Sequence, residues 1–187
     1  MHSIANRTIR SAVILTAAVL ALAASASATA VPKFELGIHG LLHQQLGLIE
    51  GKNVGLITNP TGVNRQLVRD IDMIARAPGV HLVALFSPEH GIRGAHQAGS
   101  QVGPYRDTQT GTPVYSLYGK NREPTPQMLK GVDVLVFDIQ PVGARFYTYL
   151  YTMADAMKAA AKAHIPFVVL DRPKLQALIL LLGAVLV

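Results

Sequence analysis

The chain has 187 residues, no cysteine, and seventeen basic side chains against eleven acidic ones. Without cysteine, neither a disulfide framework nor thiol chemistry is available to it. The basic residues are spread along the sequence, which argues against nucleic acid as a partner. The length that remains beyond residue 30 suits one domain with a substantial core.

The N-terminal residues 1–30 have the pattern of a secretory signal peptide. Arg7 and Arg10 precede a largely apolar run over residues 12–24, and two A-x-A sequences then end at residues 28 and 30. The apolar run is shorter than the ~20 residues that a membrane-spanning helix needs. We therefore expect an exported protein, periplasmic or extracellular, with no stable membrane span after signal cleavage. An uncleaved N-terminal anchor is the alternative.

Beyond residue 52, short apolar runs alternate with stretches of helical period. This alternation predicts an α/β fold with a Rossmann-like parallel sheet and helices on both faces. Residues 91–112 show no period and are predicted to form a long loop, and a short amphipathic helix is indicated within residues 31–50. The predicted strands are 52–58, 81–86, 113–117, 132–137 and 166–170, and the predicted helices are 66–77, 126–130 (a single turn) and 147–164.

The composition changes abruptly after Pro173. Gln176 is the only side chain capable of hydrogen bonding within residues 175–187, and this segment is too short to span a bilayer. The break indicates a truncated or frame-shifted gene, with a buried C-terminal helix as the alternative. The predicted domains are therefore a signal peptide (1–30), one α/β domain (31–173) and an apolar tail (174–187).

Polar residues follow four of the predicted strands directly. Because ligands bind beyond the carboxyl ends of strands in open parallel sheets, these residues predict a binding or catalytic site at one edge of the sheet. They are Asn59 after the first strand, Glu89 and His90 after the second, Asp138 and Gln140 after the fourth, and Asp171 and Arg172 after the fifth.

Two carboxyl groups stand out among these strand-end residues. Glu89 follows an apolar strand directly, where partial burial favours the protonated form that a general acid needs. The alternative is a carboxylate at a helix start or in a structural salt bridge with Arg93. Asp138 ends a strand with no charge in its preceding four residues. It is a candidate catalytic or metal-binding residue, and a helix cap is the alternative.

Arg145 is followed directly by two aromatic residues, Phe146 and Tyr147. Aromatic faces suit the C–H faces of sugar rings, and a guanidinium suits a carboxylate. Ordinary core packing is the alternative for the aromatic residues. A metal site formed by His90, His96 and Asp107 is only weakly indicated, because the two histidines do not have the spacing that shares one helical face.

Six segments of this sequence resemble the NamZ-type exo-β-N-acetylmuramidases, a family long without an assigned function. The resemblance covers about residues 35–173. The segments are GLITNPTGV (55–63), LFSPEHGIRG (85–94), DTQTGTPVYSLYG (107–119), DVLVFDIQ (133–140), VGARFYTYLYTM (142–153) and VLDRP (169–173).

The resemblance implies an exported glycoside hydrolase that releases terminal N-acetylmuramic acid from peptidoglycan fragments without a cofactor. It also implies a Rossmann-like N-terminal domain, an auxiliary C-terminal domain, and a site in the cleft between them. Glu89 corresponds to the family's proposed catalytic residue, and Asp138 is predicted as the second group unless the substrate's N-acetyl group assists. Arg93 or Arg145 is predicted to bind the lactyl carboxylate. The substrate-binding residues carried over are Asn59, His90, Arg93, Gln140, Arg145 and Tyr147.

The sequence departs from the family pattern at two positions. Pro141 stands where the family usually has an aspartate, and Lys174 opens the apolar tail where the family continues with asparagine and proline. The second departure predicts a chain that ends before the auxiliary domain. A truncated, inactive or muropeptide-binding remnant is therefore the alternative function, and a metal-dependent hydrolase of another ester or amide is a further one.

Overall fold

The computed structural model describes residues 35–89, 91–94, 103–141 and 148–172. The predicted signal peptide and apolar tail lie outside these ranges. Six strands form one sheet: β1 (Asn53–Thr58), β2 (His81–Ser87), β3 (Tyr105–Arg106), β4 (Pro113–Ser116), β5 (Val134–Asp138) and β6 (Phe167–Val169). The described helices are α1 (Gly37–His43), α2 (Asp70–Ala75) and α3 (Tyr149–Lys162), with a 3₁₀ turn at Leu46–Leu48. None of them is long and apolar enough to cross a membrane.

The sheet has the strand order β3-β4-β2-β1-β5-β6. All neighbouring strands are parallel except β3 and β4. From β1 the chain winds outward through β2 and β4, then returns past β1 to form β5 and β6. The strand order therefore reverses between β1 and β5, and in Rossmann-like sheets this switch point is where ligands bind.

Both faces of the sheet are covered by helices, as the sequence predicts. Successive side chains of a strand point to opposite faces. Leu56 and Val136 accordingly pack with Ile71 of α2 in one buried cluster. Ile57 packs with Ala156 of α3 in a second cluster on the other face. The sheet is thus the middle layer of three, and its carboxyl edge lies between α2 and the N-terminal end of α3.

The helix predicted over residues 66–77 is shorter, because it begins only at Asp70. The side-chain oxygen of Asn64 accepts hydrogen bonds from the N–H groups of Gln66 and Val68, both at 2.9 Å. This contact stabilises a turn in which Leu67 has φ 61° and is 77% exposed. Leu67 therefore does not belong to the buried face of the helix, and the prediction of its start was wrong.

The described part of the long loop predicted over residues 91–112 contains one short strand. Tyr105 and Arg106 of β3 pair antiparallel with Val114 and Pro113 of β4. A strand of two residues carries no periodicity that a sequence pattern can reveal.

Helix α1 is held against the chain that follows β6 by a close backbone approach. The N–H of Gly37 donates to the carbonyl of Asp171 at 3.0 Å, and a Cβ at position 37 would lie 2.5 Å from the Asp171 nitrogen. We expect Gly37→Ala to reduce the free energy of unfolding by ~1–3 kcal/mol, because the backbone must move apart.

Gly40 in the same helix is the matched control for this measurement. Nothing lies within 4 Å of a Cβ at position 40, so Gly40→Ala is expected to be neutral or to stabilise by up to ~1 kcal/mol. Urea unfolding of both variants measures the difference. A Gly37→Ala variant as stable as Gly40→Ala would contradict the close approach.

Candidate active site

Four adjacent parallel strands end in a row of polar residues. The register pairs Ser87 with Ser116 and Thr58 with Asp138, and the register of β1 with β2, continued by one residue, places Thr58 beside Ser87. Residues at one level of a parallel sheet point to the same face. The row therefore lies at the carboxyl edge, on the face covered by α2.

Asp138 forms a buried ion pair with Arg172. The guanidinium donates to both carboxylate oxygens, from Nε to Oδ1 and from Nη2 to Oδ2 at 2.8 Å. Nη1 donates to the carbonyl of Val63 at 3.1 Å. Asp138 is 0% exposed and Arg172 is 8% exposed. Both oxygens of the predicted second catalytic group are thus occupied by a side chain of the protein.

Asp70, the first residue of α2, shares this buried site. The Thr58 hydroxyl hydrogen-bonds to Oδ2 of Asp70 and to the main-chain carbonyl of Asp138, the latter at 3.1 Å. Burial, and then the negative charge of Asp138, hold the pKa of Asp70 well above its usual range. Burial also raises the pKa of Asp138, and the Arg172 guanidinium opposes that rise. The protonated form is therefore favoured at Asp70, while Asp138 pairs with Arg172.

Thr61 connects Asn59 with Gln140 above the switch point. Oδ1 of Asn59 accepts hydrogen bonds from the Thr61 N–H at 2.9 Å and from its hydroxyl at 2.6 Å. The same hydroxyl accepts the N–H of Gln140 at 2.9 Å. The structure thus brings together Asn59, Asp138 and Gln140, as the strand-end rule predicts, and it engages the carboxamide oxygen of Asn59 in the turn.

Arg93 is bound by two carboxylates. It donates to Asp107 from Nε at 2.6 Å and from Nη2 at 2.9 Å, and to Asp72 from Nη2 at 2.9 Å. The guanidinium lowers the pKa of Asp107 to about 2, aided by hydrogen bonds from Thr110 and opposed by burial. Arg93, which is predicted to bind substrate, and Asp107, which belongs to the weakly indicated metal site, are therefore paired with each other. Within the described ranges, no three metal-binding side chains come together.

A pocket of about 620 Å³ opens beside Glu89 at the carboxyl ends of β2 and β4. The Tyr118 phenol hydrogen-bonds to the Glu89 carboxylate, whose charge raises the pKa of Tyr118. Asp138 lies on the α2 side of the sheet, whereas this pocket lies against α3, so the structure separates the two predicted catalytic residues. The lining residues are Pro88, Glu89, Leu117, Tyr118, Gly119, Arg122, Thr148, Tyr151, Thr152 and Asp155.

Several residues of the site were not predicted from the sequence, and some of the predicted ones lie outside the described residues. Tyr118 comes shortly after β4, so applying the strand-end rule to that strand as well would have found it. Arg122 and Asp70 carry no comparable signal, because neither follows a strand. The predicted residues outside the described ranges are His90, His96, Arg145, Phe146 and Tyr147.

Residues 54–186 match the family model described as "Exo-beta-N-acetylmuramidase NamZ, N-terminal". The chain belongs to this NamZ family. The matched range ends at residue 186 and so includes most of the predicted apolar tail (174–187). Over 145 residues the chain is 58% identical to the peptidoglycan β-N-acetylmuramidase NamZ of Bacillus subtilis (strain 168), covering 78% of this chain and 35% of that protein.

Two crystal structures of DUF1343 family proteins from Bacteroides fragilis NCTC 9343 share the fold. One has a TM-score of 0.68 and 55% identity, covering 74% of this chain and 34% of the other. The second has a TM-score of 0.61 and 32% identity, covering 74% and 35%. These matches confirm the predicted α/β architecture. The chain spans about a third of the length of each of these three relatives.

The Asp138–Arg172 pair and the protonated Asp70 predict unequal effects of two similar substitutions. Asp138→Asn leaves a buried guanidinium opposite a neutral amide, so we expect a loss of ~3–5 kcal/mol in the free energy of unfolding. Asp70→Asn replaces a neutral carboxyl group by another neutral hydrogen-bonding group, so we expect a loss of ~1 kcal/mol or less. Urea unfolding compares the two, and equal losses would contradict the proton's assignment to Asp70.

The Arg93–Asp107 pair predicts acid-sensitive stability. Because the pKa of Asp107 lies at about 2 in the fold and ordinarily at 3.8, its stabilisation is present above pH 4 and is lost as the pH falls towards 2. We expect Asp107→Asn to unfold more easily at neutral pH and to lose less stability over that acid range. Thermal unfolding as a function of pH measures this difference. Parallel curves for the two proteins would refute the linkage.

Proposed function

We propose that this chain contributes the catalytic region of an exported exo-β-N-acetylmuramidase, which releases terminal N-acetylmuramic acid from peptidoglycan fragments. The observation that carries the proposal is that Glu89 lines a pocket at the carboxyl ends of two parallel strands. The 58% identity to a peptidoglycan β-N-acetylmuramidase supports the substrate class. The signal-like pattern of residues 1–30 supports export.

Glu89 is proposed as the general acid. Cleavage of a glycosidic bond needs a proton on the leaving oxygen, and a carboxylic acid beside the bond supplies it. The pocket also presents the aromatic side chains of Tyr118 and Tyr151, the latter 69% exposed. Such side chains offer flat apolar faces to a sugar ring. Acid and ring-binding surface therefore lie in one pocket.

The identity of the second catalytic group, which assists attack on the sugar, remains a prediction. Asp138 has both oxygens engaged by Arg172 and no exposed surface. Asp155, another carboxylate of the pocket, pairs with Lys158 at 3.2 Å. The acetamido group of the substrate is attached to the carbon next to the one at which the glycosidic bond breaks. It is therefore the group best placed to assist attack on the sugar. In this arrangement Asp138 holds the sheet edge in place.

The test is hydrolysis of two muraminides with different leaving groups. We expect the wild-type protein to cleave 4-nitrophenyl β-N-acetylmuraminide and the disaccharide N-acetylmuramyl-β-1,4-N-acetylglucosamine. Glu89→Gln removes the acid and should lower the rate on the disaccharide by ~10²- to 10⁴-fold. The loss should be smaller for 4-nitrophenolate, which departs without a proton.

Glu123→Gln is the matched control, because Glu123 pairs with Lys162 at 3.7 Å and does not line the pocket. It should retain wild-type rates on both substrates. Equal losses for the two leaving groups in Glu89→Gln would argue against a general acid. Absence of hydrolysis by folded wild-type protein that still binds the sugar would favour the alternative of a muropeptide-binding remnant.

A further inference from the structure

The arginines near the carboxyl edge differ in what they contact. Arg172 is paired with Asp138, and Arg93 is paired with Asp107 and Asp72. Arg122 lines the Glu89 pocket, is exposed, and pairs with no carboxylate among the described residues. Within the part of the chain that the structure describes, no carboxylate engages its guanidinium, whereas the guanidinium groups of the other two arginines are held in ion pairs.

Tyr118 interacts with both Glu89 and Arg122. The phenol hydrogen-bonds to the Glu89 carboxylate, and the positive charge of Arg122 acts on the same phenol by lowering its pKa. Carboxylate and guanidinium thus flank one tyrosine in one pocket. The other charged lining residue, Asp155, is neutralised by Lys158 at 3.2 Å. A negatively charged ligand group near Glu89 would therefore find its partner at Arg122.

The main chain holds Tyr118 in this position. The N–H of Leu117 donates to the carbonyl of Ser87 at 2.7 Å, which continues the pairing of β4 with β2. The N–H of Tyr118 then donates to the Ser116 hydroxyl at 3.2 Å. The strand that precedes Glu89 and the strand that precedes Tyr118 are thus tied together at their ends.

We propose that Arg122 binds the lactyl carboxylate of the terminal N-acetylmuramic acid and so determines specificity for that sugar. The inference rests on the proposed function. N-acetylmuramic acid differs from N-acetylglucosamine by a lactyl ether that ends in a carboxylate, and a guanidinium pairs with a carboxylate through two parallel hydrogen bonds. A sugar without the lactyl group leaves Arg122 without its partner. Arg122 therefore takes this role in place of Arg93, and the other arginine predicted for it, Arg145, lies outside the described residues.

The test is binding of hydrolysis-resistant methyl thioglycosides, measured by calorimetry. Three are compared: N-acetylmuramic acid, its lactyl methyl amide, and N-acetylglucosamine. We expect the wild-type protein to bind the free acid ~10- to 100-fold more tightly than the two neutral sugars, the range expected for one hydrogen-bonded charge pair. Arg122→Ala should abolish this preference, and Arg122→Lys should restore part of it.

Lys120→Ala is the matched control, because Lys120 is a neighbouring exposed cation that does not line the pocket. It should keep the full preference for the free acid. The proposal is overturned if Arg122→Ala retains the preference, if Lys120→Ala loses it equally, or if the wild-type protein does not distinguish the acid from its amide. Hydrolysis of muraminides by the wild-type protein reports on the proposed function separately, so a failure of either inference can be recognised.

Discussion

The ion pair between Asp138 and Arg172 joins the parts of the molecule on which the site depends. Removing two charges from water costs several kcal/mol for each. Here the cost is offset by the bidentate contact between the two side chains, by the carbonyl of Val63, and by the raised pKa of Asp70, which favours its neutral form. One guanidinium therefore links the end of β5, the chain beyond β6 and the turn after β1. The carboxyl edge is stabilised at the point where the strand order reverses.

This arrangement separates the charged groups that pair with one another inside the fold from the charged groups that face the open pocket. At the switch point, carboxyl groups and guanidinium satisfy one another and are closed to solvent. The open pocket lies further along the edge, at the ends of β2 and β4, where Glu89, Tyr118 and Arg122 face a cavity. In many Rossmann-like sheets the switch point itself receives the ligand. In this chain the buried cluster occupies that position on the α2 side, and the pocket opens against α3.

The sequence predicts most of the architecture because central parallel strands are continuous apolar runs. The run VDVLVF (132–137) overlaps most of β5, which the structure begins at Val134 and ends one residue later, at Asp138. The strand-end rule likewise identifies Glu89 and Asp138. The sequence pattern does not show which charged residues pair with each other. Arg172 lies 34 positions from Asp138, and no periodicity connects them. The start of α2 was missed because a side-chain contact of Asn64 overrides the apolar spacing of Leu67.

The central position of β1 has a consequence for how the chain folds. Its partner β5 comes much later: the N–H of Asn53 at its start contacts Asp133, 80 positions away. The link from Arg172 back to Val63 spans 109 positions. Contacts of such separation form slowly, since a long loop must close before they contribute. Until residues 134–138 arrive, β1 presents an unpaired row of backbone donors and acceptors. A nascent or partly unfolded chain is therefore most open to aggregation at the strand that is innermost in the finished sheet.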